Sequence, residues 1–186
     1  METEHQSTRL VVGLGNPGKE YENTRHNLGA LAVRSFAEAK GACFQKNKYV
    51  EGELSCVRLE HRKVYFLLPT TYMNVSGHSV KKCMDYPKIS LPNLLIVVDD
   101  CAIPFEEVRL RSQGSSGGHN GLKNVAERLG SQEYARLKVG IGDREHGDLS
   151  DYVLGKFTQE ERKLLPTITE KAALVIQEWL CLEQKL

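Results

Sequence analysis

Five polar residues lie beside predicted strands, where an α/β sheet gathers side chains at one edge. They are a histidine, an aspartate and three asparagines: His26, Asp99, Asn16, Asn74 and Asn120. A free imidazole titrates at about pH 6.5, so His26 can accept a proton, and a carboxylate such as Asp99 can orient its ring. Asparagine amides hold a carbonyl or an oxyanion without carrying charge. These residue types predict general-base chemistry.

Covalent catalysis lacks its usual sequence signature. No serine lies in a G-x-S-x-G elbow, and no base adjoins Cys101, so attack by water is the simpler expectation. A nucleophilic Cys101 beside Asp99 and Asp100 remains an alternative. The five cysteines are scattered and form no C-x-x-C pair, and we expect all of them to be reduced packing residues: Cys43, Cys56, Cys83, Cys101 and Cys181.

A metal site is a second alternative for the same residues. The possible ligands are three histidines and two aspartates: His26, His78, Asp99, Asp100 and His119. No H-E-x-x-H or similarly spaced ligand motif joins them. We therefore expect no bound metal.

The stretch "VVGLGNPGKEYENTRHNLG" contains a G-x-G-x-x-G match in Gly13, Gly15 and Gly18. A dinucleotide site needs the helix to begin within that motif, so that its amides meet the pyrophosphate. Here helical spacing resumes only at Leu28. We therefore interpret the glycines as a strand-ending turn that leads into a polar, functional loop.

Two pairs of cations occupy predicted strands. Arg109 and Arg111 are two residues apart and share one strand face, as do Arg136 and Lys138. Together with the helix that begins after "SSGGHNG", they predict a phosphate clamp, with a solvated charged face as the alternative. The net charge of the chain is only +1, so any basic footprint must be local.

Apolar strand and helix patterns alternate along the chain. The strand patterns are "RLVVGLG", "YVEGELSCVRL", "KVYFLLPT", "NLLIVVDD", "EEVRLRS" and "YARLKVGIG", and the second and third predict a hairpin around "EHR". Helical spacing runs from Leu28 to Gly41, through "VSGHSVKKCMDY" and "GGHNGLKNVAERLG", and after a Thr158 and Glu161 capping box. We expect Pro166 to divide the last helix into two pieces. The alternation predicts a three-layer α/β/α fold with a mixed, largely parallel sheet covered by helices on both faces.

The length of 186 residues and the apolar content of 40% predict one domain spanning residues 1–186, with residues 1–8 as a flexible N-terminus. No run of about 18 apolar residues occurs. The N-terminus "METEHQSTRL" has neither the basic nor the apolar region of a secretory signal. We therefore expect a cytoplasmic protein without a membrane span.

Six segments carry a resemblance to a known family. In chain order they are "VVGLGNPGKEYENTRHNLG", "LLPTTYMNVSG", "VVDD" followed by "IP", "GSSGGHNGLKNV", "RLKVGIG" and "YVLGKF", reaching from Leu10 to Phe157. In these motifs and their order the chain closely resembles the bacterial-type peptidyl-tRNA hydrolase family. The resemblance implies hydrolysis of the ester between a nascent peptide and the 3′ end of tRNA, for tRNA recycling after aborted translation. It also implies a monomer with no metal or organic cofactor, no membrane contact and no obligate protein partner.

The motif matches imply a role for each residue. His26 and Asp99 match the catalytic histidine and its aspartate partner, and the three asparagines match substrate-binding positions. Tyr21 and Met73 match residues that line the peptide and 3′-end channel, and we expect the adjacent Tyr72 to bind substrate as well. Arg111 and Lys138 match basic positions associated with the tRNA 5′ phosphate, and Arg109 lies on the same predicted strand face. "DLSDYVLGKF" matches a lid-like segment; the sequence departs from the family pattern at Ala102 and in "GIGDRE".

Overall fold

The computed structural model describes residues 8–59, 61–144 and 146–182. Apart from Thr8, the N-terminus predicted to be flexible lies outside the described residues. No helix in the described ranges is both long and apolar enough to cross a membrane.

The described strands form one seven-stranded sheet. In chain order they are β1 (Arg9–Gly13), β2 (Gln45–Asn47), β3 (Gly52–Leu59), β4 (Arg62–Pro69), β5 (Leu94–Asp100), β6 (Val108–Arg111) and β7 (Ala135–Gly140). Their order across the sheet is β2-β3-β4-β1-β5-β7-β6. The four central strands, β4, β1, β5 and β7, run parallel, and the antiparallel pairs lie towards the two edges. The prediction of a mixed, largely parallel sheet is confirmed.

Helices cover both faces of this sheet. They are α1 (Leu28–Ala39), α2 (Ser76–Asp85), α3 (Asn120–Leu129), α4 (Leu149–Leu154) and α5 (Gln159–Cys181). Helices α1 and α5 pack on one face, and α2 and α3 pack on the other. The three-layer prediction is therefore also confirmed.

Side-chain alternation along the strands divides the core into two layers. Val11 contributes to the layer under α1 and α5, whereas Leu10 and Val12 contribute to the layer under α2 and α3. Successive strand residues point to opposite faces, and a strand covered on both faces reads as a continuous apolar run. This explains why "RLVVG" and "LLIVV" lack the polar alternation of a surface strand.

Two local predictions had different outcomes. The hairpin is confirmed, because β3 and β4 pair antiparallel from Gly52 opposite Pro69 to Leu59 opposite Arg62. The division of the last helix at Pro166 is wrong, because α5 is continuous through the proline. Proline removes one backbone hydrogen bond, but α5 is anchored beyond it by buried residues, including Ile168, on the α1 side of the sheet.

A buried arginine fastens the end of α5 to the sheet. Arg9 is fully buried in β1 and donates hydrogen bonds to the carbonyls of Trp179 and Leu182. Its guanidinium also lies 4.7 Å from the centroid of the Trp179 ring. Burial lowers the pKa of Arg9 to about 10, so it stays charged at neutral pH. The last carbonyls of a helix have no partner within the helix, and this cation satisfies them.

Candidate active site

A buried histidine and aspartate meet where β5 ends. Asp99, 3% exposed, is the penultimate residue of β5, and His26, 8% exposed, lies in the short 3₁₀-helix Arg25–Asn27 immediately before α1. Nδ1 of His26 is 2.9 Å from Oδ1 of Asp99 and 3.1 Å from Oδ2. Because β1 and β5 are parallel neighbours, the loop after β1 and the end of β5 lie at the same edge of the sheet.

A second histidine contacts the same carboxylate. Nε2 of His119 is 3.1 Å from Oδ1 of Asp99, and its Nδ1 accepts hydrogen bonds from the amides of Gly121 and Leu122 as the N-cap of α3. A ring nitrogen that accepts carries no proton, so the proton of the neutral His119 ring is on Nε2 and is donated to Asp99. In the sequence, His119 is recognisable only as a possible metal ligand. Its position after Gly117 and Gly118 and directly before a helical pattern is the sequence feature that could have indicated an N-cap.

The protonation of the cluster follows from these contacts. Burial by itself raises the pKa of Asp99, but the electrostatic attraction of His119 and His26 and the hydrogen bonds from both rings outweigh it and lower the pKa below its ordinary value. An ionised carboxylate only accepts hydrogen bonds, so Nδ1 of His26 carries a proton. Nε2 of His26 is then an acceptor, and it has no hydrogen-bond partner among the described residues.

The same three residues also satisfy the spacing of a metal site. One ligand atom from each of His26, Asp99 and His119 lies within 4.8 Å of the others. To bind a metal, Nε2 of His119 would have to lose its proton, and a neutral ring would then carry the proton on Nδ1. That proton would break the cap bonds to Gly121 and Leu122. The donor set therefore fits a proton network better than a metal ion. His78 lies elsewhere, 2.8 Å from Glu51.

The 3₁₀-helix Arg25–Asn27 directs its side chains to three different partners, as expected for a helix with three residues per turn. His26 reaches Asp99. Asn27 contacts the main chain of Asn16 twice: its Oδ1 accepts from the Asn16 amide at 2.8 Å, and its Nδ2 donates to the Asn16 carbonyl at 2.9 Å. Asn27 belongs to the polar loop that the sequence predicts after the glycine turn. The structure gives it the task of fixing the turn that presents Asn16.

A cavity of about 620 Å³ opens over the His26 and Asp99 pair, and all three predicted asparagines line it. Oδ1 of Asn16 accepts a 2.7 Å hydrogen bond from the amide of Met73, which leaves its Nδ2 group to donate. Asn74 and Asn120 are exposed at the cavity wall. The five polar residues predicted to converge therefore do so.

The remaining cavity wall is largely apolar. Leu149, Val153 and Leu154 of α4 line one side, and the buried Met73 and the exposed Tyr72 line another. Tyr21, also predicted to line the channel, does not reach the cavity but packs edge-on against Tyr72 at 6.3 Å between ring centroids. Tyr21 therefore supports the ring of Tyr72 rather than lining the cavity itself.

The predicted phosphate-binding residues share one face at the β6 edge. Arg109 lies directly opposite Lys138 in the antiparallel pair of β6 and β7, and Arg111 is exposed two residues further along. Nζ of Lys138 is 2.9 Å from Oδ2 of Asp100, and Arg109 pairs with Glu107 at 3.0 Å. Asp100 also lines the cavity, so Lys138 reaches its rim.

Arg136 does not belong to this cationic surface, and its inclusion in the phosphate clamp is wrong. It is 1% exposed and donates to the carbonyls of Ser115 and Gln132, while its guanidinium lies 4.4 Å from the centroid of the Tyr134 ring. Strand alternation predicted its face correctly but not the segments that cover it. Its structural task is to hold the loop that precedes α3.

The glycine motif has a packing role. A Cβ on Gly13 would lie 2.6 Å from the carbonyl oxygen of Gly29 and 2.8 Å from the Cα of Ala30, so β1 and α1 approach closely only because residue 13 is glycine. Helix α1 begins at Leu28, ten positions after Gly18. The amide of Ala30, in the first turn of α1, donates to the carbonyl of Leu14 at 3.0 Å, so it is not available to a pyrophosphate, which argues against a dinucleotide cradle.

The cysteine predictions are partly wrong. Cys83 alone of the five is buried; Cys101 is half-buried, and the exposed ones are Cys43, Cys56 and Cys181. Burial and the neighbouring carboxylates of Asp100, Asp143 and Asp99 raise the pKa of the Cys101 thiol. Because the thiolate is the reactive form, Cys101 is poorly suited to nucleophilic attack.

Comparison with known proteins agrees with the geometry. The family profile described as Peptidyl-tRNA hydrolase matches residues 10–185. A peptidyl-tRNA hydrolase of Parabacteroides distasonis is 45% identical over 171 residues, covering 91% of this chain and 90% of the relative. That of Bacillus cytotoxicus is 44% identical over 173 residues, covering 92% of each. The crystal structure of the Acinetobacter baumannii peptidyl-tRNA hydrolase superposes with a TM-score of 0.84 at 34% identity, over 93% of this chain and 90% of that one.

The architecture alone is shared more widely. A 5′-methylthioadenosine nucleosidase of Arabidopsis thaliana superposes with a TM-score of 0.57 at 8% identity, a likeness of fold only. The three-layer α/β fold, together with the histidine and aspartate at a cavity lined by asparagines, points to the class of hydrolases. Within that class, the chain belongs to the peptidyl-tRNA hydrolase family. It is therefore a hydrolase of peptidyl-tRNA.

Proposed function

We propose that His26 is the general base that activates water for attack on the ester between the peptide and the 3′ end of tRNA. The observation that carries this proposal is the 2.9 Å contact between Nδ1 of His26 and Asp99. It fixes the ring so that Nε2 is free to accept a proton at the cavity. Asp99, held ionised by both histidines, stabilises the imidazolium that forms.

The reaction then has two steps. Water attacks the ester carbonyl carbon as its proton passes to Nε2 of His26, which produces a tetrahedral oxyanion. The carbon–oxygen bond to the tRNA ribose then breaks, and the imidazolium returns its proton to that ribose oxygen. The raised pKa of the Cys101 thiol supports water rather than an acyl-enzyme.

Neutral donors stabilise the oxyanion and hold the peptide. Because Oδ1 of Asn16 is occupied by the Met73 amide, its Nδ2 is the group available to a developing negative charge or a peptide carbonyl. Asn74 and Asn120, exposed on other parts of the wall, hold the peptide main chain. Tyr72 and Met73, with Tyr21 behind them, accommodate the 3′ end and the first peptide residues.

The acceptor end of tRNA extends from the cavity towards the β6 edge. Lys138, Arg111 and Arg109 bind the 5′ phosphate there, since they share one face and Lys138 reaches the cavity rim. One chain contributes every residue assigned to the reaction, which supports a monomeric enzyme without an obligate partner. The proposed reaction needs no metal or organic cofactor, and we assign it to the cytoplasm, where its substrate is found.

The test is release of free tRNA from an N-acetyl-aminoacyl-tRNA, with the unblocked aminoacyl-tRNA as control. We expect rapid release from the blocked substrate, much slower release from the control, and no change on adding EDTA. Loss of activity with EDTA would favour a metal-dependent hydrolase. Binding without turnover would indicate a non-catalytic RNA-binding domain.

A further inference from the structure

Arg25 precedes the proposed general base, yet its side chain points away from the cavity and is 8% exposed. Its Nε and Nη2 donate to the two carboxylate oxygens of Glu161 at 3.0 and 2.8 Å. Its Nη1 donates to the carbonyl of Tyr152 at 3.2 Å, and its guanidinium lies 4.4 Å from the centroid of the Tyr152 ring. A planar guanidinium that makes a bidentate ion pair and stacks on an aromatic ring is held in one orientation.

These contacts join the catalytic turn to the segment containing α4. The amide of Arg25 donates to the carbonyl of Gly155 at 3.0 Å, and Thr24 forms an antiparallel bridge with Lys156. A Cβ on Gly155 would lie 2.9 Å from Nη1 of Arg25, so the guanidinium packs directly against the backbone at Gly155. The end of α4 is therefore fastened directly to the turn that carries His26.

The first turn of α5 is part of the same connection. Oε2 of Glu161 also accepts from the amide of Thr158 at 2.6 Å, and the Thr158 hydroxyl accepts from the amide of Glu161. The carboxylate therefore caps α5 and holds Arg25 at the same time. This fixes Arg25 to the α1 and α5 layer of the fold.

Helix α4 needs external support. It has six residues, none of them buried, and its N-cap residue Asp148 makes no side-chain cap hydrogen bond. A helix of this length has little stability of its own. Nevertheless, Leu149, Val153 and Leu154 line the cavity that contains the catalytic cluster and form its apolar wall.

From these contacts we infer that Arg25 is a positioning residue that sets the preference for the acyl part of the substrate. By gripping Glu161 and the Tyr152 carbonyl, it holds α4 as the apolar wall against which a peptide longer than one residue packs. The inference rests on the proposed function, because it assumes that the cavity receives the peptidyl group. An acetyl group is too small to depend on the same wall.

The test compares Arg25→Lys with the unmodified chain on two substrates that share one tRNA and one esterified phenylalanine. One carries an N-acetyl group, and the other carries three further apolar residues. We expect KM for the longer substrate to rise about tenfold, with kcat for both substrates and KM for the acetylated one within about threefold of the unmodified values. Lysine keeps the charge but loses the bidentate pair and the stacking.

Glu161→Gln serves as the second variant, because glutamine still caps the helix at this position but cannot form the ion pair. The matched control is Arg34→Lys, which alters another arginine that pairs with a glutamate, Glu53, and lies over the Phe44 ring. We expect the control to keep the ratio of the two KM values. Hydrogen exchange of amides 149–155 should become about tenfold faster in the two test variants, while that of amides 120–129 stays unchanged.

The outcomes separate the two claims. Equal losses on both substrates, or unchanged exchange at 149–155, would overturn the positioning role. If the unmodified chain releases tRNA from neither substrate, the proposed function fails. Hydrogen exchange still decides whether Arg25 holds α4.

Discussion

Two imidazoles share the carboxylate of Asp99 but contact it through different nitrogens. Nδ1 of His26 contacts Asp99, which leaves its Nε2 without a hydrogen-bond partner among the described residues. In His119, Nε2 contacts Asp99, and Nδ1 accepts the hydrogen bonds that cap α3. Only His26 therefore has a free lone pair for catalysis. His119 contributes by keeping Asp99 ionised and in place, and by tying the α3 loop to the cluster.

The lowered pKa of Asp99 predicts a specific dependence of stability on pH. Because its pKa is lower in the folded than in the unfolded chain, ionised Asp99 stabilises the fold above about pH 4, and this contribution is lost as the pH falls towards the folded-state pKa. The difference in free energy of unfolding between the unmodified chain and Asp99→Asn should be constant from about pH 5 to 7 and shrink below about pH 4. Urea denaturation across this range measures it. A constant difference at every pH would contradict the assignment.

The double role of His119 predicts that two substitutions behave differently. Asparagine can cap a helix but cannot reach Asp99, so His119→Asn should keep stability within about 1 kcal/mol while lowering kcat about tenfold. His119→Ala loses the cap as well and should be about 1 kcal/mol less stable than His119→Asn. Denaturation and steady-state rates on one blocked aminoacyl-tRNA separate the two effects. Equal stability of the two variants would contradict the role of His119 as a stabilising N-cap of α3.

The sequence predicts the residue types, their sheet edge and the pairing of His26 with Asp99, but not the partners of His119 and Arg136. The position of Asp99 after an apolar run and of His26 in a polar loop was sufficient to bring them together in prediction. The cap formed by His119 and the burial of Arg136 depend on where the segment between β6 and α3 packs. That path is set by contacts between residues distant in sequence, which periodicity does not encode.

Close packing between α1 and β5 sets the distance between His26 and Asp99. Gly29 lies in the first turn of α1, and a Cβ there would overlap the backbone carbonyl of Val97. The helix begins two residues after His26, so its distance from β5 controls the geometry of the pair.

We therefore expect Gly29→Ala to lower the free energy of unfolding by about 1–3 kcal/mol and to reduce kcat by more than tenfold, because α1 must move away from β5. The control is Gly41→Ala, where φ is +81° but no atom lies within 4 Å of the new Cβ. It should cost stability without changing kcat. Normal kcat in Gly29→Ala would contradict this positional role.

The arrangement of strands and helices was more predictable than their ends and joins. Buried strands such as "LLIVVDD" and the capping box at Thr158 have strong local signals, and both were assigned correctly. The continuity of α5 through Pro166 was not predictable, because packing beyond the proline decides it. The path of the loop that carries Asn16, Arg25 and His26 also had no periodic pattern to reveal it.

The net charge of the chain is only +1, so a surface that attracts tRNA must be a local cluster of cations. Exposed Arg111 and half-buried Lys138 lie on the face of the β6 edge that adjoins the cavity. Nucleic-acid phosphates that bind such cations release counterions, so affinity depends on salt.

Lys138→Ala and Arg111→Ala should each weaken tRNA binding and reduce the slope of log affinity against log salt concentration by about 1. Lys163→Ala, which removes an exposed cation on α5, should leave the slope unchanged. Binding titrations from low to moderate salt measure these slopes. An unchanged slope in both edge variants would remove them from the phosphate site.

The most direct test of the account is turnover of N-acetyl-aminoacyl-tRNA by His26→Ala, measured beside its affinity for uncharged tRNA. General-base catalysis contributes about 10²–10⁴-fold to a rate, so turnover should fall by that factor. The tRNA affinity should remain unchanged, because the proposed phosphate-binding residues are on a different edge of the cavity. Full turnover in the folded variant would contradict the central claim that His26 activates the attacking water.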